Sequence, residues 1–166
     1  FLPLSDGKQP LFMWLVIPFL KMFSDPLFAG RFTSVVAGLA TLVGIFLLSF
    51  TFFKSKKVSL IAASIYALSP FSVFFDRMAL VDSLLTTFGV WTLLWAIFTA
   101  RTLRMDFAML TGFALGGGLL TKSPALFFVL LSPLTWVFSK RFVKLSLLFM
   151  VTLAIGYGMY NILRLG

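Results

Sequence analysis

Between Phe32 and Phe53 lie 22 consecutive residues without a charged side chain. A helix of that length is about 33 Å long, enough to cross the ~30 Å hydrocarbon core of a bilayer. The pattern recurs. Uncharged runs occupy Val58–Phe75, Ser83–Ala100, Phe107–Thr121, Ser123–Ser139 and Leu145–Leu163, of 18, 18, 15, 17 and 19 residues. Charged residues are 11% of the chain and hydrophobic ones 60%, against roughly 25% and 45–50% in soluble domains. So few charges cannot cover a water-facing surface of this size. A soluble globular domain, a disordered chain and a nucleic-acid-binding basic module are excluded, and an integral membrane protein is expected.

The expected fold is all-α, a polytopic bundle of about six transmembrane helices. The 15-residue run holds Gly112 and Gly116-Gly117-Gly118, so it also suits one limb of a re-entrant hairpin. Pro10–Phe23 is apolar but only 14 residues long, with Pro18 inside and Lys21 near its end. That suits an interfacial juxtamembrane helix, with Trp14 as a headgroup-level anchor. Trp91, Trp95 and Trp136 fall inside runs and read as packing or interface residues. The chain is read as part of one transmembrane domain, 1–27 being outer loop and interfacial helix and 28–166 the spans. It starts at Phe1 and stops at Gly166 beside an apolar run, which reads as a fragment of a longer protein.

Basic residues orient the spans. If the first runs from outside to inside, the inner connections hold Lys54, Lys56, Lys57, Arg101, Arg104, Lys140, Arg141 and Lys144 beside one acid, Asp106. Lys8, Lys21, Arg31, Arg77, Lys122 and Arg164 then lie outside with Asp6, Asp25, Asp76 and Asp82. This alternation is what the positive-inside rule demands. The +9 formal charge is thus a topology signal, and no nucleic-acid partner is expected. Histidine and cysteine are both absent, which removes the usual zinc ligands, a thiol nucleophile and an imidazole base. No metal site is assigned.

The outer face carries mixed charge that topology does not explain, and so is the place to look for chemistry. Ser69–Ser83 is the most informative stretch, with Pro70 followed by Asp76, Arg77 and Asp82 between apolar runs. Charges placed so usually face a cavity or a partner. On one continuous helix Arg77 and Asp82 would point about 140° apart, at ~100° per residue, so each needs another partner. Plainer roles stand beside these. Asp82 suits the cap of a helix beginning near Ser83, and Arg77 and Arg31 suit interfacial anchoring. Lys8 and Lys122 suit headgroup contact. Together Lys8, Arg31, Arg77 and Lys122 beside Asp76 and Asp82 form a cluster fit for a lipid-linked phosphate.

At these residues the chain resembles the polytopic glycosyltransferases of the GT-C superfamily that use polyprenyl-phosphate sugars, the protein O-mannosyltransferases and the aminoarabinose transferases of lipid A among them. The resemblance rests on Gly7-Lys8-Gln9-Pro10-Leu11 through Trp14 and on Ala29-Gly30-Arg31-Phe32. It continues through Ser69-Pro70, Asp76-Arg77-Met78-Ala79-Leu80-Val81-Asp82, and Gly118-Leu119-Leu120-Thr121-Lys122-Ser123-Pro124.

It implies transfer of a sugar from a polyprenyl-phosphate donor to a protein, lipid or glycan acceptor outside the cytoplasm, with inversion at the anomeric carbon. The setting would be the cytoplasmic membrane of a bacterial or archaeal cell envelope. The donor is the substrate and no cofactor is assigned. Lys8, Arg77 and Lys122 would bind the donor phosphate, and Asp82, Asp76 and Arg31 would shape a polar cavity. The family's catalytic base sits on a first outer loop whose acidic motif would precede Phe1, with Asp6 a weak substitute. Gln9 replaces the first proline of a usual Pro-Pro pair. Gly7 stands where some relatives carry an acid, so a divalent metal held by that acid is not supported. The alternative is a transporter or flippase for a lipid-linked or anionic solute.

Overall fold

The structure, a computed structural model, describes residues 10–138 and 141–165; Asp6 and Lys8 lie outside them. Among the described residues every regular element is helical. The chain forms two compact units, one spanning Leu11–Val90 and the other running from Trp91 onward.

In the first unit, α1 (Leu11–Met22) is a 12-residue helix of about 18 Å, too short to cross. The backbone turns through Phe23–Asp25 into α2 (Pro26–Phe53). Asp25 is the N-cap, its Oδ1 accepting from the Leu27 amide at 2.9 Å, and Pro26 starts the first turn, where a missing N–H costs nothing. The helix ends at Lys54, which takes a left-handed conformation (φ 53°) and donates its N–H to the Phe50 carbonyl at 3.0 Å.

The inward face of α2 is small rather than large. Gly30, Ser34, Ala37, Gly38 and Thr41 are buried, while Val35, Val36, Leu39, Val43 and Leu47 are exposed. Lipid is as apolar as leucine, so bulky side chains gain little by facing inward, and small ones let backbones approach. Ala37 packs with Phe12 of α1 and Leu84 of α5 (Val81–Thr102). Thr87 of α5 donates to the Ala37 carbonyl at 2.8 Å and lies 2.9 Å from the Thr41 hydroxyl.

Between these helices the run Val58–Phe75 breaks. α3 (Lys56–Leu68) and α4 (Pro70–Arg77) meet at a bend of 61°. Proline disfavours the helical conformation at the residue before it, and Ser69 is extended (φ −63°, ψ 122°). The Pro70 ring also removes the amide that would bond the Tyr66 carbonyl, and Ser69 donates there instead, at 3.3 Å.

In the second unit α6 (Met105–Leu119) packs on α8 (Phe142–Leu165) through glycines. A Cβ on Gly112 would stand 2.8 Å from the Thr152 carbonyl oxygen, and one on Gly156 would stand 3.1 Å from that of Gly112. Thr152 donates across the pair to the Ala108 carbonyl at 3.1 Å. The glycine run therefore serves close packing inside a continuous helix. Trp95, Phe98 and Phe107 stack beside it, with centroids 5.4–5.9 Å apart. Ser123–Phe138 folds as a 3-10 turn (Ser123–Ala125), α7 (Leu126–Leu131) and a second 3-10 stretch (Ser132–Phe138).

The six apolar runs thus differ in form. α2, α5 and α8 are each long and apolar enough to cross a membrane, and α3 with α4 makes a fourth span if the bent pair is counted as one. Phe107–Thr121 and Ser123–Ser139 hold only shorter apolar helices, short because Thr121–Pro124 and Pro133 interrupt them.

Candidate functional site

The break in α3–α4 creates the site. α4 ends at Arg77, and Met78–Leu80 runs as a short non-helical link into α5. This link lies against the start of α2. Ser34 Oγ donates to the Leu80 carbonyl at 3.2 Å, and a Cβ on Gly30 would stand 2.9 Å from that of Ala79. The start of α2 and the α4–α5 junction therefore share one end of this unit.

Beneath that end is a cavity of about 300 Å³, lined by Tyr66, Phe71, Ser72, Phe75, Asp76, Asp82, Ser83, Leu85 and Thr86. Asp76 is the best-anchored polar group in it. The Tyr66 hydroxyl donates to Asp76 Oδ2 at 3.0 Å, and the carboxylate presses on α2 where Gly38 offers no side chain, so that a Cβ there would overlap it. Gly38 lies about 18 Å along a helix about 42 Å long, at 1.5 Å per residue, and so close to its midpoint. A carboxyl group at that depth is costly to insert and typically functional.

Asp82 sits in the first turn of α5, which begins at Val81 rather than near Ser83, so it is inside the helix and not its N-cap. A negative charge there is favoured by the free amides of the turn. The Thr86 hydroxyl donates to the Asp82 carbonyl at 2.9 Å. Ser83 is 2% exposed, lines the cavity, and its Oγ has no hydrogen-bond partner among the described residues.

Of the residues singled out from sequence, Asp76 and Asp82 share this cavity. Arg77 and Asp82 stand on different helices, because the extended backbone at Met78 separates them, and the 140° separation on one helix does not arise. Arg77 and Arg31 are exposed and do not line the cavity. Each follows a residue turned into the unit, Asp76 and Gly30 respectively, and ~100° of helical rotation turns it away. Lys122 belongs to the other unit. It is half-buried between α6 and the turn at Ser123, its amide donating to the Gly118 carbonyl at 3.1 Å. Sequence reasoning did not find Tyr66, Ser72, Ser83, Thr86 or Gly38. Helical periodicity cannot pair Tyr66 with Asp76 across a proline bend, and a lone glycine in an apolar run carries no sign of what it faces.

Among the described residues no group of three metal-ligating side chains occurs. The cavity is thus a pocket of carboxylates, hydroxyls and aromatic rings, with arginines at the rim end of the same unit. Comparison with curated proteins and with solved structures gives no match. The family profile described as dolichyl-phosphate-mannose-protein mannosyltransferase matches residues 7–160. With that coverage, from the Gly7-Lys8 stretch almost to the end of α8, the chain belongs to this family of membrane glycosyltransferases, which draw sugar from polyprenyl-phosphate donors.

Proposed function

We propose that the protein transfers a sugar from a polyprenyl-phosphate carrier to an acceptor on the outer face of the cytoplasmic membrane. The observation that carries this reading is the family match over residues 7–160, which spans every segment contributing to the cavity. In this reading the acceptor oxygen attacks the anomeric carbon, the bond to the carrier phosphate breaks, and the phosphate leaves with its negative charge. Lys8, Arg77 and Lys122 stabilise that charge. Within the first unit Asp76 and Asp82 line the cavity, and Arg31 stands in the first turns of α2. The acceptor's proton goes to a base outside this set.

The test uses the full-length protein in proteoliposomes with a radiolabelled polyprenyl-phosphate hexose and counts label on the acceptor fraction. Lys8→Ala and Arg77→Ala are each expected to cut transfer by about 100-fold, as removal of one charge-stabilising donor typically does, at unchanged expression. Normal turnover in both variants would remove these assignments. Movement of the labelled lipid across the bilayer without sugar transfer would favour the flippase instead.

A further inference from the structure

The second unit holds a smaller cavity of different chemistry. It leaves about 20 Å³ for the centre of a water-sized sphere, between α5, α6, the Ser132–Phe138 stretch and α8. Five of the residues lining it carry hydroxyls: Thr99, Thr111, Ser132, Thr135 and Thr152. All five are buried, none more than 6% exposed.

Each hydroxyl has one hydrogen to give, and each gives it to the backbone. Thr99 donates to the Trp95 carbonyl at 2.9 Å and Thr111 to that of Phe107 at 2.7 Å. Ser132 donates to Val129 at 2.9 Å, and Thr135 to Ser132 at 2.7 Å. Thr152 reaches the Ala108 and Leu148 carbonyls, both at 3.1 Å. Every oxygen keeps a lone pair to offer, and those of Thr99 and Thr111 stand 3.4 Å apart. Among the described residues, the hydroxyls of Ser132 and Thr135 make no bond to α5, α6 or α8. Hydroxyls from four segments thus line one small space, and those of the 3-10 stretch do not reach the others directly.

Cavities that stay dry are apolar. A polar one with more than ~10–15 Å³ of such volume and two to four partners takes a water, and this one exceeds that size with five partners. A water donates to two of the oxygens. It accepts from a hydroxyl that turns its hydrogen inward, and the abandoned carbonyl of Trp95 or Phe107 still accepts the helical N–H of Thr99 or Thr111. Neutral hydroxyls suit a neutral occupant, since an ion would lose its hydration shell at far greater cost.

We infer that this cavity is a binding site for one buried water, which joins the Ser132–Phe138 stretch to the threonines of α5, α6 and α8. The water is a structural ligand, tethering a segment whose own helix is broken at Pro133. The inference does not depend on the glycosyl-transfer reading.

The test is hydrogen–deuterium exchange at the amides of 123–138 in the full-length protein in nanodiscs, together with a density map fine enough to show ordered water. Thr111→Val keeps the side-chain shape and removes a hydroxyl that itself makes no bond to the segment. It is expected to speed exchange there by about 5-fold, the equivalent of one hydrogen bond's net contribution. Thr99→Val should act the same way and decides the matter if Thr111→Val does not fold. Thr102→Val loses the same kind of carbonyl bond away from the cavity and should leave the segment's exchange unchanged. The wild-type map should show a water within hydrogen-bond reach of Thr111 and of Ser132 or Thr135. A map without that water, or unchanged exchange in both cavity variants, overturns the inference. So does wild-type exchange that rises when sodium is replaced by choline, since the occupant would then be a cation.

Discussion

The side chain that Gly38 lacks is what lets Asp76 lie at the middle of an apolar helix. A methyl group there would occupy the space of the carboxylate, and the carboxylate cannot retreat without leaving the Tyr66 hydroxyl at 3.0 Å. Gly38→Ala is therefore expected to destabilise the protein by about 1–3 kcal/mol, the usual cost of overpacking, seen as a lower unfolding temperature in detergent. The double variant Gly38→Ala/Asp76→Ala should recover most of that loss, since the clash goes with the carboxylate. Additive losses in this cycle would show that the two residues do not share the space. Asp76 was legible in sequence as a charge needing a partner. The partner was not, because Tyr66 and Gly38 are brought to it by packing of separate helices.

Helix breaks and small-residue faces decide the architecture at the scale of elements. The 61° bend between α3 and α4 follows from one residue, Pro70, and it opens the cavity that a straight span would close. In Pro70→Ala the restored amide can bond the Tyr66 carbonyl and let α3 run on. Spin labels at the exposed positions Leu60 and Phe74 should then move further apart in a pulsed-resonance measurement, and transfer should fall. An unchanged distance would show that packing holds the bend without the proline. In the other unit Gly156→Leu would push a branched side chain onto the Gly112 carbonyl, 3.1 Å from where a Cβ stands. It is expected to cost at least about 1–3 kcal/mol, read from the loss of folded protein on heating. Apolar run length predicted helices here correctly. It did not reveal that Ser123–Phe138 is broken into short pieces, because hydropathy counts side chains and is blind to where backbone hydrogen bonds stop.

For the whole molecule, charge distribution sets orientation. Lys54, Lys56 and Lys57 follow the end of α2, whereas Asp25 caps its start. The chain has no cysteine, so a single introduced thiol reports one location. Asp25→Cys should react with an impermeant maleimide in intact cells, and Lys54→Cys only after permeabilisation. The reverse pattern would invert the topology and move the cavity to the inner face.

Membrane class, helical content and the family were within reach of sequence, because each is a local property. Hydropathy over about 20 residues measures the cost of leaving water, and motifs are read residue by residue. Which faces meet is another kind of fact. The burial of Gly30, Ser34, Ala37, Gly38 and Thr41 with larger side chains outside inverts the pattern of a soluble helix, and an apolar run looks the same whichever side faces in. The cavity joins Tyr66 of α3, Asp76 of α4 and Ser83 of α5, three helices separated by a proline break and an extended link. Only tertiary packing could bring them together, because surface complementarity between helices, not distance along the chain, determines which groups share a space.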